Sequence, residues 1–341
     1  MPSADTGLSV IMPCYNVAPW LPRCLESVFV ALPSNAEVIA VDDGSTDSTS
    51  AVLAGWAETD RRLRVLLSSH GGVSAARNRA LDAAVGKYVF FVDPDDAVEV
   101  DFFSAMVEAL ERDGADCCVC GYYEGEDGAD AWRTVGLKED YRFRSNAQVV
   151  ANYLPRIFGY SLDDVRAWYR GTPLGAKREM AYSWRMAFRR DVIESAHVRF
   201  DPALELNEDA LFNAEFLLAA KSMTSVARPL YRVTCRSAGA VRTIRRDGLR
   251  YCRNKLAMLR KRDALDRRAN GSLFPLYAGT CVLSALEILS LTVRGRIPRR
   301  EGGRLLREYL SEPSVQKAFA GFPLSVRHPL LSLSVLLIRW K

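Results

Sequence analysis

Histidine is scarce in this sequence, and the cysteines follow no regular spacing. The chain of 341 residues has 3 histidines and 8 cysteines, and three of the cysteines fall within one apolar run, 117–120. Adjacent residues on a strand point to opposite faces of a sheet, so this run does not gather thiols around one point. We therefore expect no histidine-ligated metal, no zinc site and no disulfide framework, and we expect the reduced thiols of a cytosolic protein.

The sequence also lacks a clear targeting or membrane-spanning segment. Its first ten residues, MPSADTGLSV, contain neither the basic nor the apolar part of a signal peptide. The best candidate for a span, Leu273 to Val293, is interrupted by Pro275, Gly279 and Glu287. A spanning helix needs about 20 predominantly apolar residues, so we expect a buried helix there instead. The run Leu330 to Ile338 is too short to cross a bilayer.

Overall composition is ordinary for a soluble globular protein, with 49% hydrophobic and 26% charged residues. The formal net charge of +5 is, however, unevenly distributed. The stretch from Arg228 to Arg268 contains 14 Arg and Lys residues against 3 Asp residues. Such a basic block predicts an anionic partner: a phosphate group, a membrane surface or nucleic acid. No recognisable nucleic-acid motif accompanies it, so we do not expect nucleic-acid binding.

A short apolar run that ends in carboxylates is the most informative part of the chain. Lys87 to Val92 is rich in aromatic and β-branched side chains, which is typical of a strand buried on both faces. Asp93, Pro94, Asp95 and Asp96 follow, and the proline hinders continuation of the strand because it has no N–H donor. Open α/β sheets bind ligands at the carboxyl ends of their strands. Clustered carboxylates there favour a hard cation, Mg²⁺ or Mn²⁺, shared with a substrate phosphate.

Strand and helix patterns alternate over the first 122 residues. Strands are predicted at Leu8–Met12, Glu37–Val41, Leu63–Leu67, Lys87–Val92 and Asp116–Tyr122. Helices are predicted at about Pro19–Val30, Ala51–Glu58, Val73–Val85 and Phe102–Arg112. This alternation predicts βαβ crossovers and an α/β fold with a mainly parallel sheet flanked by helices.

The rest of the chain is less regular until it becomes helical. Glu124 to Gly175 predicts loops over the sheet, and acceptor contacts often come from such loops. Tyr182 to Ile193 predicts a strand and a helix, and Asp209 to Ala220 predicts a helix. From about Thr243 onward the pattern is helical, first basic and then apolar.

Five motifs occur in order along this pattern. They are LSVIMPCYN (8–16), VIAVDDGSTDST (38–49), GGVSAARNRAL (71–81), GKYVFFVDPDD (86–96) and NEDALFNAEFLLAA (207–220). Together, in this order and at these spacings, they make the chain resemble the bacterial family 2 glycosyltransferases of polysaccharide and glycoconjugate synthesis. The resemblance implies a Rossmann-like GT-A catalytic domain over residues 1–242. Its nucleotide-sugar half would be about 1–122 and its acceptor half about 123–242, followed by a helical C-terminal region, 243–341.

The resemblance implies that the first two motifs hold the nucleobase of a UDP-sugar donor. Pro13, Tyr15 and Asn16 form the turn after the first strand, with Tyr15 available for stacking. Asp42 and Asp43 end the second strand, where the family uses a carboxylate to accept the uracil N–H. The sequence leaves open which of the two does so. The alternative for this turn is ordinary strand-to-helix turn chemistry without a ligand.

The next two motifs are implied to hold the rest of the nucleotide. Gly72 allows a close approach of the backbone, and Arg77 would help to fix the uridine and the carboxylates. Asp93 and Asp95 form the D-x-D pair, with Asp93 near the ribose and Asp95 on a divalent cation, Mn²⁺ or Mg²⁺. Asp96 either assists in metal binding or caps the following helix. The cation would act as a Lewis acid for the leaving diphosphate.

The fifth motif contains a second acidic pair, Glu208 and Asp209. The resemblance implies that Asp209 is the general base beside the acceptor hydroxyl, with Glu208 next to it. Acidic residues also suit a helix N-terminus, and both roles are compatible. Downstream, Tyr231 to Arg242 resembles the segment that closes over the diphosphate, and Arg236 is its candidate phosphate contact.

These expectations add up to an inverting, metal-dependent hexosyl- or N-acetylhexosaminyltransferase. It would move a sugar from a UDP-sugar to a hydroxyl of a glycan or lipid-linked acceptor. Two other functions stay open. A nucleotidyltransferase has a similar sheet but usually a Gly-rich basic loop after the first strand, which PCYNVAPWL lacks. A non-catalytic sugar-nucleotide-binding scaffold would need Asp42 and the D-x-D pair but not Asp209.

The basic C-terminal region has three alternative uses. It could pack on the catalytic domain, form a homodimer, or lie on an anionic membrane, with Leu330 to Trp340 as an interfacial helix. We expect a cytoplasmic protein, and any membrane contact would be peripheral, at the inner face of the plasma membrane.

Overall fold

The structure is a computed structural model of the chain, and it describes residues 7–126, 131–137, 139–175, 178–236 and 240–321. The chain divides into two compact units. The first unit comprises the described parts of Met1–Leu154, Ala181–Pro202 and Glu208–Ser237. The second unit comprises those of Pro155–Met180, Ala203–Asn207 and Ala238–Lys341. The division into domains at residues 242 and 243 stays a prediction.

Four parallel strands form one half of the sheet in the first unit. They are β1 (Leu8–Cys14), β2 (Ala36–Asp42), β3 (Leu63–Leu67) and β4 (Tyr88–Phe91), in the spatial order β3-β2-β1-β4. Every residue of β1, β2 and β4 is buried, as expected for apolar strands covered on both faces. The strands lie where the sequence predicts them, apart from small differences at their ends.

Helices follow each of these strands. They are α1 (Leu21–Ala31), α2 (Thr49–Thr59), α3 (Val73–Ala83) and α4 (Phe102–Asp113). In α1, Leu21, Leu25 and Val28 are fully buried at the three- and four-residue spacing of one helical face. The α3 helix begins after Gly72, whose φ of 86° suits glycine and no L-side chain.

The other half of the sheet contains antiparallel strands. Its strands are β5 (Ala97–Val98), β6 (Cys117–Gly125), β7 (Arg133–Val135), β8 (Arg142–Phe143), β9 (Met186–Arg189) and β10 (Met223–Thr234). The β9 strand runs antiparallel between β4 and β6, whereas β10 is parallel to β6. The α/β fold class is confirmed, and the mixed pairing in this half adds to the mainly parallel sheet that the sequence predicts.

The segment between β6 and β10 contains helices and short strands as well as loops, including the part from Glu124 to Gly175 where the sequence predicts loops. Its helices are α5 (Asn146–Asn152), α6 (Leu154–Ile157), α7 (Leu162–Tyr169), α8 (Arg190–Ser195) and α9 (Glu208–Ala219). The start of α9 carries the second acidic pair. Below it the rings of Phe200 and Phe212 stack at 4.1 Å, and Phe91 of β4 packs edge-on against both. This aromatic cluster ties the start of α9 to the tip of β4.

The second unit is helical. After α7 it contains α10 (Ala240–Arg246), α11 (Gly248–Arg268), α12 (Phe274–Val293), α13 (Arg299–Ser311) and α14 (Pro313–Ala320). The α12 helix is the one described helix long and apolar enough to span a membrane. It packs against α7, α11, α13 and α14, and its Glu287 pairs with Lys255 at 2.8 Å. The predicted interfacial helix, Leu330 to Trp340, lies outside the described residues.

The loop before β4 approaches the main chain of β1 so closely that only glycine fits. A Cβ atom at Gly86 would lie 2.4 Å from Leu8 C and 2.4 Å from Ser9 N. The same contact is fixed by hydrogen bonds, since Gly86 N donates to Ser9 Oγ at 2.9 Å and Ser9 Oγ donates to Glu37 at 2.6 Å.

We predict that Gly86→Ala destabilises the protein by about 1–3 kcal/mol, because backbone atoms on both sides must move apart. The measurement is urea-induced unfolding followed by tryptophan fluorescence. Gly55→Ala is the matched control: Gly55 is exposed in α2 with nothing within 4 Å of an added Cβ. That change should stabilise by about 0.5–1 kcal/mol. Equal effects of both changes would contradict the close approach.

Candidate active site

Arg77 lies at the centre of the candidate site, in contact with three carboxylates. It projects from α3 and is only 3% exposed. Its Nη2 donates to Asp93 Oδ1 at 2.9 Å. Its Nη1 donates to Asp209 Oδ1 at 2.9 Å and to Glu208 Oε1 at 3.2 Å. Residues from three separate sequence motifs thus meet at one guanidinium.

Three carboxylates surround the single positive charge of Arg77. Burial lowers the pKa of the Arg77 guanidinium, but Asp209, Asp93 and Glu208 raise it by more, so the net pKa lies above its ordinary value. The Phe200 ring lies 5.0 Å from Arg77 Cζ and covers the cation. Because one cation faces three carboxylates, part of the negative charge is uncompensated.

The pKa values of both members of the second acidic pair, Glu208 and Asp209, are raised. Burial raises the pKa of Glu208 to about 7, with an added effect of Asp209 and an opposing one of Arg77. Burial also raises the pKa of Asp209, which Arg77 lowers and Asp93 raises further. Asp209 Oδ2 accepts the backbone N–H of Ser183 at 3.2 Å, which fixes its orientation. A carboxylate with a raised pKa is a stronger proton acceptor than an ordinary aspartate.

Arg236 pairs with the second carboxylate of the D-x-D motif. Its Nη2 forms an ion pair with Asp95, and its Cζ lies 4.3 Å from the Trp20 ring. The backbone oxygen of Asp95 accepts from Arg23 Nη2 at 2.9 Å. Burial lowers the pKa of Arg236 despite the opposing charge of Asp93. A planar guanidinium stacked on an indole is well placed to bind an oxyanion.

Asp96 is buried and accepts hydrogen bonds from residues of β10. It is 4% exposed, and its oxygens accept the Tyr231 hydroxyl at 3.1 Å and the Thr234 N–H at 2.8 Å. The Tyr231 hydroxyl in turn accepts the Asp93 N–H at 3.0 Å. Burial raises the pKa of Asp96 to about 8, and the charge of Asp93 adds to this effect. Asp96 therefore holds the turn that carries the D-x-D pair.

Asp93 and Asp95 are the residues that best fit a divalent cation. Their side chains are 28% and 16% exposed, and they offer the hard oxygen ligands that Mg²⁺ and Mn²⁺ prefer. Among the described residues, no group of three or more His, Cys, Asp or Glu side chains could hold a metal ion. A cation at this pair would complete its shell with water or substrate phosphates, as Mg²⁺ usually does.

The turn after β1 carries the predicted nucleobase residues. Tyr15 is 43% exposed, and its ring stacks on His70 at 4.1 Å. Asn16 has a φ of 52°, and its side chain accepts the N–H groups of Thr46 and Asp47. Pro13 is buried within β1. Tyr15 is therefore the exposed member of this group, while Asn16 and Pro13 shape the turn.

The two carboxylates at the end of β2 have different partners. Asp42 accepts the Ser45 N–H at 2.9 Å and the Ser50 hydroxyl. Burial raises its pKa, but these hydrogen bonds lower it by more, so the net pKa lies below its ordinary value. Asp43 instead accepts the N–H groups of Gly71 at 2.9 Å and Gly72 at 2.8 Å. Asp42 thus closes its own turn, whereas Asp43 faces the glycines beside His70.

Several residues at the site were not identified from the sequence. Trp20, just before α1, lies against the Arg236 guanidinium, and Arg23 of α1 donates to the backbone oxygen of Asp95. Trp184 stacks on Tyr231 at 4.4 Å and on Tyr182 at 4.7 Å, beside the Ser183 N–H that binds Asp209. No sequence pattern marks these contacts, because they join α1, the 3₁₀ turn Ser183–Arg185 and β10 across the sheet.

Residues 9–167 match the family model "Glycosyl transferase family 2". The uncharacterized glycosyltransferase EpsJ of Bacillus subtilis is 30% identical over 224 residues, which cover 66% of this chain and 60% of that protein. The putative glycosyltransferase EpsH of the same organism is 26% identical over 286 residues, covering 82% of this chain and 77% of that protein. The chain thus spans less than two thirds of the length of EpsJ.

Solved structures share the fold. The crystal structure of Staphylococcus aureus TarS 1–349 in complex with UDP-GlcNAc has a TM-score of 0.52 at 18% identity, covering 97% of this chain and 79% of that chain. The mannosyltransferase PcManGT of Pyrobaculum calidifontis, in complex with GDP-Man and Mn²⁺, has a TM-score of 0.51 at 16% identity, covering 100% and 88%. At these identities the likeness supports the GT-A fold alone.

The raised pKa of Glu208 predicts a pH-dependent stability. Its folded-state pKa of about 7 lies above the ordinary value of 4.5, so the folded state holds the proton more tightly than the unfolded chain does. This contribution is fully present below about pH 4.5 and is lost as the pH rises through 7. Glu208→Gln should therefore gain stability relative to wild type between pH 4.5 and 8, by up to about 3 kcal/mol.

Urea unfolding at closely spaced pH values measures this difference. Glu58→Gln is the matched control, because Glu58 is an exposed glutamate near the end of α2. If the unfolding free energies of wild type and Glu208→Gln stay parallel over this pH range, the burial of charge at Glu208 is refuted.

Proposed function

The chain belongs to glycosyl transferase family 2, and we propose that it transfers a sugar from a UDP-sugar, with inversion, to a hydroxyl of a glycan or lipid-linked acceptor. The product would be a glycosidic bond in a surface polysaccharide or other glycoconjugate. Family membership supports glycosyl transfer, and the geometry at Arg77 supports the assignment of individual residues.

One observation carries the proposal: Arg77 joins a donor-side carboxylate to the candidate base. Its two terminal nitrogens donate to Asp93 and Asp209, both at 2.9 Å. A diphosphate held at the D-x-D pair would therefore lie next to an acceptor hydroxyl held at Asp209. This adjacency is what a single displacement at the anomeric carbon requires.

The donor would bind along the tips of β1, β2 and β4. Tyr15 offers an exposed ring for stacking on the base, and Asp42 or Asp43 would accept the uracil N–H. Both carboxylates already accept hydrogen bonds within the chain, Asp42 from Ser45 and Ser50 and Asp43 from Gly71 and Gly72, so these partners favour neither. Gly72 leaves room for the nucleotide, since nothing lies within 4 Å of a Cβ built there.

Asp93 and Asp95 would hold Mn²⁺ or Mg²⁺, which when bound neutralises the leaving diphosphate as a Lewis acid. Arg236 would exchange its ion pair with Asp95 for a contact with that diphosphate, since a guanidinium binds phosphate oxygens in a bidentate manner. Trp20 keeps the guanidinium in place while its partner changes.

In the transfer step the acceptor oxygen forms a bond to the anomeric carbon as the bond to the diphosphate breaks. The hydroxyl proton passes to Asp209 Oδ2 or Oδ1, and the bonding electrons leave with UDP. Burial and the neighbouring Asp93 raise the pKa of Asp209, which favours this proton transfer. Arg77 then stabilises the charge that remains on Asp93 and Glu208.

The C-terminal unit is proposed to contact an anionic membrane. Exposed arginines after α12 and along α13 support this proposal; they are Arg294, Arg296, Arg299, Arg300, Arg304 and Arg307. Basic residues near an anionic surface each contribute about 1 kcal/mol to binding.

We predict that Asp209→Asn keeps donor binding but lowers kcat about 10²–10⁴-fold, because the proton acceptor is removed while the shape of the side chain is kept. The assay first tests a panel of nucleotide sugars for thermal stabilisation with and without Mn²⁺. It then measures transfer of the selected donor to glycan acceptors.

Asp82→Asn is the matched control, because Asp82 is an exposed aspartate of α3 whose removal changes the net charge equally. It should transfer at the wild-type rate. Transfer by Asp209→Asn at that same rate would remove the assigned base, and stabilisation by no nucleotide sugar would remove the proposed function.

For the membrane contact we predict sedimentation with anionic but not neutral liposomes, weakened by salt. Replacing Arg296, Arg299 and Arg300 together by Gln should weaken binding by about 3 kcal/mol in total, from about 1 kcal/mol for each charge. Absence of wild-type binding to anionic liposomes at low salt would refute this contact.

A further inference from the structure

Arg262 is a buried cation without a counter-charge. It lies in α11 of the second unit and is only 9% exposed. Its Nε has no hydrogen-bond partner, and within the part of the chain that the structure describes no carboxylate forms an ion pair with it. Burial, with the added repulsion of Arg178, lowers the pKa of Arg262 to about 10. The guanidinium nevertheless remains charged at neutral pH.

A second guanidinium lies against the same short segment. Arg262 Cζ is 5.5 Å from the Phe158 ring, and Arg178 Cζ is 4.5 Å from the Tyr160 ring. Between these rings, the backbone oxygen of Gly159 accepts from Arg178 Nη1. Two arginines therefore flank three consecutive residues, 158–160, within one unit.

This segment is held rigidly on α12. Tyr160 N donates to Thr280 Oγ1 at 2.7 Å, and Thr280 N donates to the oxygen of Tyr160 at 3.0 Å. Glycine permits the contact from both sides, since a Cβ at Gly159 would lie 2.7 Å from Tyr277 Cβ and one at Gly279 would lie 2.1 Å from Ser161 O. The platform beneath the two arginines is therefore preorganised.

Two acidic residues of the same unit, Asp263 and Asp164, have other partners. Asp263, next to Arg262, accepts the hydroxyls of Tyr277 and Ser314, both at 2.7 Å. Asp164 is used in the capping box of α7 with Ser161. A buried charge without a partner costs several kcal/mol, and proteins ordinarily pair such charges or bind an ion there. The anion that balances Arg262 is therefore expected from outside these residues.

We propose that Arg262 and Arg178 form a binding site for a phosphoryl group, separate from the donor site of the first unit. Two guanidiniums match the double negative charge and the several oxygens of a phosphate better than they match a single carboxylate. The same chemistry fits inorganic phosphate or a phosphate carried by the acceptor. The second source rests on the proposed transfer function, whereas the site itself does not.

The test is isothermal titration of the full-length protein with phosphate and pyrophosphate, against chloride at equal ionic strength. Wild type should bind one anion, and Arg262→Met should weaken binding by at least about tenfold, since charge-assisted hydrogen bonds are lost. Arg178→Gln should weaken it similarly. Arg253→Gln, an exposed arginine of the same helix, is the matched control and should bind as wild type does.

Thermal unfolding distinguishes a binding site from a structural cation. In phosphate-free buffer Arg262→Met should melt at or above the wild-type temperature, because an unpaired buried charge is removed, and phosphate should stabilise wild type alone. The proposal is overturned if phosphate and pyrophosphate do not bind, or if Arg262→Met binds them as wild type does. If Arg262→Met does not fold, the same measurements on Arg178→Gln decide the question.

A prenyl diphosphate probe separates the two sources. Tighter binding of farnesyl diphosphate than of pyrophosphate, lost in Arg262→Met, assigns the site to a lipid-linked phosphate. Equal binding assigns it to the free ion. Donor binding is measured separately, as stabilisation of the Arg262→Met protein by UDP. If the anion site is refuted, the proposed sugar transfer is not affected. If sugar transfer is refuted, the anion site is not affected.

Discussion

The contact between Arg77 and three carboxylates is the interaction on which the site depends. Asp93 comes from the tip of β4, while Glu208 and Asp209 begin α9, and these segments lie more than a hundred residues apart in the chain. Without the guanidinium, these three partly buried carboxylates would repel one another, and protonation or separation would relieve the repulsion. One arginine thus keeps the acids together without neutralising all of them. Burial, with the added repulsion of the neighbouring carboxylates, keeps the pKa values of Glu208 and Asp209 above their ordinary values.

The sheet supplies the geometry that this interaction needs. Parallel strands β1, β2 and β4 end at one edge, so Tyr15, Asp43 and Asp93 are placed there by chain direction alone. The β10 strand closes the site from the other half, because Tyr231 bonds both Asp93 N and Asp96. Asp96 therefore acts through the backbone of the D-x-D turn, while Asp93 and Asp95 are ion-paired with Arg77 and Arg236.

The local sequence pattern predicted the features of the fold that short stretches of sequence determine. The four parallel strands and their helices follow from apolar periodicity, and the motif residues at the strand tips follow from sequence resemblance. The β10 strand escaped prediction because Pro229 and two irregularities in register interrupt its alternation. The resemblance implied that Arg77 helps to fix the carboxylates, but not that Asp93, Glu208 and Asp209 all contact it. The Trp20–Arg236 stack and the Trp184 stack were not predicted, since each joins residues distant in sequence and carries no spacing signal. The choice between Asp42 and Asp43 stays a prediction, because both carboxylates already accept hydrogen bonds from neighbouring turns.

Arg77 and Arg262 are both buried arginines, but the charges around them differ. Both are nearly inaccessible and both lie over a phenylalanine ring, Phe200 and Phe158 respectively. Arg77 has more carboxylates than it can neutralise, so its pKa is raised and the excess charge suits a cation or a proton. Arg262 has none among the described residues, and burial with the repulsion of Arg178 lowers its pKa, so the deficit suits an anion. The missing counter-charge at Arg262 is the reason to propose an anion there, because an apolar side chain would fill a merely structural position more stably.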